Sequence, residues 1–347
     1  MRDYSLTGPE GDIAVENGLA GADWYHSPVD RQEFLALMTR TNTTAAWHTA
    51  LWFVLLGVSA WWLITTWFSW WTLPAAFVYG TLYGSVCDPR WHECGHKTAF
   101  ASKRANEIVY HIASFMDLRE PISWRWSHLR HHADTIIVGR DPEIAFQRPP
   151  SFFKIFLEMF AIVSAREEFK KYFSHLVGRL TAAEATYIPE REQQKAIFWG
   201  RVHLSIWIGV VVVSISQRTF LPIMLIGGPS LYGRWLLMVY GATQHAGLAE
   251  DVLDHRLNTR TVYMNPVSRF LYLNMNYHLE HHMYPAIPYR NLPQLHALIG
   301  NDLPAPHPNI VAAYADIFRT WKAQKKDPLS FFLRKRSNAI SPLGSRV

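Results

Sequence analysis

A chain of 347 residues that is 49% apolar and 14% aromatic, yet still 18% charged, is neither a plain bundle of membrane spans nor an ordinary soluble domain. Its two cysteines, Cys87 and Cys94, lack CxxC spacing and exclude a disulfide framework, a rubredoxin-type iron site and a zinc ribbon. A net charge of +6 beside long apolar runs points to anionic lipid headgroups and away from nucleic acid, and the 17 histidines stand out because they cluster.

In chain order, residues 1–44 are polar and lack the basic start and apolar run of a cleaved signal, so they are expected to stay in the cytoplasm. Residues 45–71 contain no Asp, Glu, Lys or Arg, enough to cross a hydrocarbon core of about 30 Å. A second run, 73–86, follows a minimal turn and makes a hairpin, with Trp67, Trp70 and Trp71 placed as an aromatic belt at its tip. After a polar stretch comes 151–165, apolar but carrying Lys154 and Glu158, the pattern of an amphipathic helix lying in the interface. Runs 197–215 and 220–243, separated by Ser216, Gln217 and Arg218, make a second hairpin. Arg201 and His203 near the start of its first member can snorkel to the interface. Gly227, Gly228, Pro229 and Arg234 predict a kinked or partly re-entrant second member.

The expected fold is therefore an all-α integral membrane protein with about four transmembrane helices in two hairpins and a cytoplasmic helical cap. Of the Lys and Arg residues, only Arg218 falls on a hairpin tip, so both termini and the central segment face the cytoplasm. The chain divides into a cytoplasmic N-terminal segment (1–44), a transmembrane and cytoplasmic catalytic domain (45–298) and a cytoplasmic C-terminal segment (299–347) whose basic end reads as a solvated charge run.

Three histidine clusters lie in the polar regions next to the apolar runs. In His92-Glu93-Cys94-Gly95-His96 the H-x-x-x-H spacing puts two imidazoles one helical turn apart on one face, as two ligands of one metal require. The same letters fit the HExxH zinc protease pattern with Glu93 as base, but that site would leave the other clusters idle. His128-Leu-Arg-His131-His132 and His278-Leu-Glu-His281-His282 both read H-x-x-H-H, with positions i, i+3 and i+4 on one helical side. Eight clustered imidazoles exceed what one metal binds, so two metals are implied, and nitrogen donors suit iron, copper, nickel and zinc alike. His26, His48, His111, His175, His203, His255, His296 and His307 stand alone and read as core or surface histidines.

These boxes resemble those of the membrane fatty acid desaturase family, which carries the forms HxxxH, HxxHH and HxxHH. The likeness runs from the first hairpin to about Leu298, and the third box continues as HHMYPAIPYRNLPQLH, similar to the family's sequence after its last histidine pair. Alkane hydroxylases space their boxes differently and are less similar. The resemblance implies two ferrous ions held by His92, His96, His128, His131, His132, His278, His281 and His282. Some members add a histidine between the second hairpin and the third box, where His245 lies in Thr-Gln-His-Ala-Gly.

By the same resemblance the chemistry is a dioxygen-dependent attack on an unactivated C–H bond of a fatty acyl chain, giving a double bond with two external electrons. Hydroxylation or oxidative decarboxylation to a terminal alkene on the same scaffold is the nearest alternative, and a non-catalytic membrane metal-binding protein is the alternative from another class. Metal-bound imidazoles need acceptors that fix their tautomers, and Glu93, Asp134, Asp141, Glu143, Asn276 and Glu280 are placed for that. Trp124 and Trp126, just ahead of the second box, are candidates for the wall of an acyl channel. The chain carries no HPGG haem motif, cysteine-ligated iron motif or GxGxxG nucleotide loop, so its electrons must come from a separate ferredoxin, rubredoxin or b-type cytochrome with its reductase.

Overall fold

The computed structural model describes residues 2–334, and among them every regular element is helical, apart from isolated bridges joining Thr261 to Tyr277 and Val262 to His307. The expected charge run beyond Arg334 lies outside the described residues. The helices that build the molecule around its histidines are α1 (Thr43–Thr65), α2 (Thr72–Gly84), α3 (Asp88–Gly95), α4 (Lys103–Met116), α5 (Pro121–Ala133), α6 (Ile162–Leu176), α7 (Glu190–Ser216), α8 (Trp235–His245) and α9 (His278–Met283).

Among the described residues two helices, not four, are long and apolar enough to cross a bilayer: α1 with 23 residues and α7 with 27. At 1.5 Å per residue they reach about 35 and 40 Å. Their outer faces are apolar and exposed, as at Trp47, Val58 and Trp61 of α1 and Ile208, Val212 and Ile215 of α7. The second member of each expected hairpin falls short. α2 has 13 residues, about 20 Å, against a core of about 30 Å. The run 220–243 is divided into Leu221–Leu225, Pro229–Tyr232 and α8, because Gly227 takes a positive φ of 79° and Pro229 cannot continue the preceding helix.

These two short pieces meet backbone to backbone. A Cβ on Gly84 would lie 2.4 Å from the Pro229 carbonyl oxygen, and one on Gly233 would lie 1.8 Å from that of Gly80. Only glycine permits so close an approach. Trp52 of α1, fully buried, ties the hairpin by donating from Nε1 to the Leu82 carbonyl at 2.9 Å.

The expected interfacial helix over 151–165 is also broken: Phe152–Glu158 ends, Ala161 turns left-handed at φ 51°, and α6 continues to Leu176. Glu158 is diverted to the break, accepting from Ser164 N at 3.0 Å and pairing with Arg234 at 3.3 Å. Arg234 also pairs with Asp117 at 3.0 Å, and Arg119 joins Asp117 (2.7 Å) to Asp88 (2.8 Å). This buried network fixes the start of α3 relative to the loop that leads into α5. Residues at the N-terminal end lie against the region following α8: Tyr25 N donates to Leu253 O at 3.0 Å, and Trp24 stacks on His255 at 4.2 Å.

Candidate metal centre

Each histidine cluster is held by a differently built local element. Pro89 opens α3, where its missing N–H costs nothing, and places His92 on the helix with His96 at its C-cap. α5 begins at Glu120, whose carboxylate accepts from Ile122 N (2.9 Å) and Ser123 N (2.5 Å), a buried N-cap that sets the register of His128, His131 and His132. α9 is only six residues long, a length that does not hold as an isolated helix and depends on the packing of Leu279 and Met283 in the core.

The nine imidazoles converge as two groups within which the ring nitrogens lie within 4.8 Å of one another: His92, His96, His128, His132 and His281, and His131, His245, His278 and His282. The two H-x-x-H-H helices exchange members. In α5 the i and i+4 histidines, His128 and His132, join the first group and His131 the second. In α9 His278 and His282 join the second and His281 the first.

The Nε2 atoms approach in a chain: His96 to His128 at 3.0 Å, His128 to His132 at 3.2 Å, and His132 to His281 at 3.2 Å. In the second group His278 stands 3.1 Å from His245 and 3.0 Å from His282. Metal–nitrogen bonds of about 2.1 Å meeting at right angles separate their donor atoms by about 3.0 Å. The tautomers agree. His245 Nδ1 donates to the Asn258 carbonyl at 2.8 Å, His131 Nδ1 to Asp141 at 2.8 Å and His128 Nδ1 to Glu143 at 3.0 Å, so their Nε2 atoms carry bare lone pairs. Among the described residues neither ring nitrogen of buried His92 has a hydrogen-bond partner. Lone pairs facing lone pairs at 3 Å, out of water, repel unless a cation sits between them, and this donor set fits two nitrogen-coordinated metal ions.

Electrostatics favour the ligand form. Burial, reinforced by the neighbouring imidazoles, pushes His92, His96, His132, His245, His278, His281 and His282 well below the ordinary histidine value, keeping them neutral. Burial works against His131 too, but Asp141 overrides it and raises His131. Burial likewise opposes ionisation of Glu143, yet His128 holds its carboxyl down to about 2.

Of the six residues expected to fix tautomers, two touch box imidazoles, Asp141 and Glu143. Asp134 pairs with Arg130 (3.2 Å) and Arg140 (3.0 Å). Glu93 accepts from Tyr289 N at 2.9 Å, and burial pushes its carboxyl up to about 7. Asn276 donates to the Val262 carbonyl at 2.8 Å, and Glu280 binds Thr261 at 2.6 Å and His296. Thr135, 3.2 Å from His282 Nδ1, and the Asn258 carbonyl were not foreseen; Thr135 had only its position just after the second box as a signal, and a backbone carbonyl has none.

Trp124 donates to Glu168 at 3.0 Å and meets Trp91 edge to face at 6.1 Å, while Trp126 packs with Ile122, Ile188 and Ala196. The lone histidines take other partners. His175 faces Glu184 at 3.2 Å, His307 faces Asp316 at 3.0 Å, and His111 meets Trp199 at a tilt, their rings 4.3 Å apart.

Comparison with known proteins gives the same direction. The family model for fatty acid desaturases matches residues 68–313. An acyl-lipid (9+3)-(E)-desaturase from Dimorphotheca sinuata is 24% identical over 262 residues, covering 62% of this chain, which spans 64% of that relative's length. Delta(12) fatty acid desaturases from Mortierella isabellina and Mortierella alpina are each 39% identical over 66 residues, 18% of this chain and 16% of theirs. With all three histidine boxes inside the matched region and their imidazoles gathered into one paired cluster, the chain belongs to the fatty acid desaturase family.

Proposed function

We propose that the protein is a membrane-embedded di-iron desaturase that inserts a double bond into a fatty acyl chain, drawing on dioxygen and two electrons from a separate ferredoxin, rubredoxin or b-type cytochrome system. The observation that carries this reading is the convergence of five and four buried or half-buried imidazoles in two groups, with neighbouring Nε2 atoms 3.0–3.2 Å apart. His92, His96, His128, His132 and His281 would hold one iron, and His131, His245, His278 and His282 the other. Bound there, a pair of ferrous ions supplies the means of activating dioxygen against a methylene C–H bond.

The chain's own residues then have defined tasks. Asp141 and Glu143 keep His131 and His128 protonated on Nδ1, which aims the opposite nitrogen and strengthens it as a donor. Trp91, almost wholly buried and 5.4 Å from His128, and Trp124 beside it make a dry wall for the first group. The apolar outer faces of α1 and α7 fit a bilayer, with the boxes and both termini on its cytoplasmic side and residues 45–298 as the catalytic domain. Acyl substrate would enter from the lipid.

The test is metal content and donor-dependent oxygen uptake of the purified protein, followed by identification of the lipid product. About two irons per chain and a new double bond are expected. One zinc per chain, with no oxygen uptake, would overturn the reading, and a hydroxylated lipid or a terminal alkene would move the chemistry to the other outcomes open to this scaffold.

A further inference from the structure

Outside the two histidine groups, the segment between His245 and α9 carries a buried cation. Arg260 is 1% exposed, and its guanidinium makes one contact among the described residues, from Nη2 to the Ala246 carbonyl at 2.6 Å. Its Nε and Nη1 have no partner. Arg334 comes in beside it, bonding through Nη2 to the carbonyls of Thr259 and Arg256, and its Nε and Nη1 are likewise out of contact with solvent and unpaired. His307 lies next to them. It is bridged to Val262, two residues beyond Arg260, its Nε2 is engaged by Asp316 at 3.0 Å, and its buried Nδ1 is free of partners.

Among the described residues neither arginine makes an ion pair; the carboxylates of Asp316 and Glu280 act on Arg260 and Arg334 without touching them, and the segment 335–347, KRSNAISPLGSRV, contains no acidic side chain. Burial, with the Arg334 charge added and Asp316 only partly opposing it, pulls Arg260 well below its ordinary value, yet a guanidinium is not a group that gives up its proton in a folded protein. Two desolvated cations side by side are strongly unfavourable without a counter-charge. The free N–H groups on two guanidinia outnumber what the two oxygens of one carboxylate accept well and match the three or more oxygens of a phosphate group.

We infer that Arg260 and Arg334 form an anion site, outside the two histidine groups, that takes a phosphate group, either free or as the headgroup of a lipid. The site stands whether or not the histidine groups hold iron, since neither of its two residues is among them.

The full chain, purified in detergent and exchanged into phosphate-free buffer, is assayed for phosphorus per chain and for unfolding by tryptophan fluorescence, alongside Arg260→Met and Arg334→Met. Wild type should retain about one phosphorus per chain or show a saturable rise in Tm of about 2–4 °C with inorganic phosphate that chloride at equal ionic strength does not reproduce. Both signals should be lost in Arg334→Met, whose side chain lies at the edge of the site and whose metal content reports that the protein remains folded. If phosphatidic acid vesicles stabilise wild type and inorganic phosphate does not, the ligand is a lipid headgroup. Absence of both bound phosphorus and phosphate- or lipid-dependent stabilisation in wild type, or an undiminished response in Arg334→Met, overturns the site.

Discussion

Asp141→Asn is the most direct probe of how the two histidine groups are told apart. Asp141 is fully buried, and its Oδ2 accepts from His131 Nδ1 at 2.8 Å and from Ile136 N at 2.7 Å, while Oδ1 accepts from Glu143 N at 2.8 Å. Asparagine keeps the shape but offers one acceptor oxygen in place of two, so an amide N–H must face a backbone N–H or the His131 ring. Leaving such a buried donor unmatched costs about 1–3 kcal/mol. Loss of an acceptor behind a ligating histidine lowers metal affinity about 10–100-fold, or about 1.4–2.7 kcal/mol. Because His131 belongs with His245, His278 and His282, the loss should fall on the metal of that group alone. Titration with a chelator, followed by metal analysis, should give two release steps in the variant, one at 10–100-fold lower chelator and one where wild type releases. Unchanged release of both metals, or an equal shift of both, would refute the assignment of His131 to the second group.

Glu143→Gln should show the converse pattern, since Glu143 holds His128 of the first group at 3.0 Å; the same titration should weaken the other metal. Gly233→Ala should cost 1–3 kcal/mol or more, read as a lowered Tm and poor recovery in detergent, because its Cβ would meet the Gly80 carbonyl at 1.8 Å. Metal-free protein should become acid-sensitive. Seven of the buried histidines have folded values far below their unfolded value of about 6.5, so their contribution is complete above that pH and is lost progressively as the pH falls below it. His131, raised by Asp141, runs the other way but is outnumbered, and a melting temperature that rises on acidification would contradict the neutral state of the cluster.

Much of the site was legible in the sequence because its grammar is local. One helical turn between His92 and His96, or between His128 and His132, is written in adjacent residues, and the fold class follows from apolar runs of the same local kind. The limits were local as well. A run of apolar residues tells little about whether a helix reaches across 30 Å, and α2 and the 220–243 segment stop short because glycines let their backbones pack against each other.

Which imidazole belongs to which group was decided only in three dimensions. Sequence spacing places His131 beside His132 and His281 beside His282, yet each pair is divided between the two groups. Helical rotation of about 100° per residue separates neighbours, and the crossing of α5 past α9 selects which lone pairs meet. Six polar residues near the boxes were equally placed to orient them, and packing chose Asp141 and Glu143 while giving Asp134 and Glu280 to other partners. The amino-acid sequence alone therefore determined the donor type and the number of donors, since chemistry and periodicity are properties of neighbouring residues. The pairing of donors and the direction of each lone pair came from contacts between separate segments, some as near as His131 and Asp141 and some as distant as His132 and His281, which only the packed chain brings together.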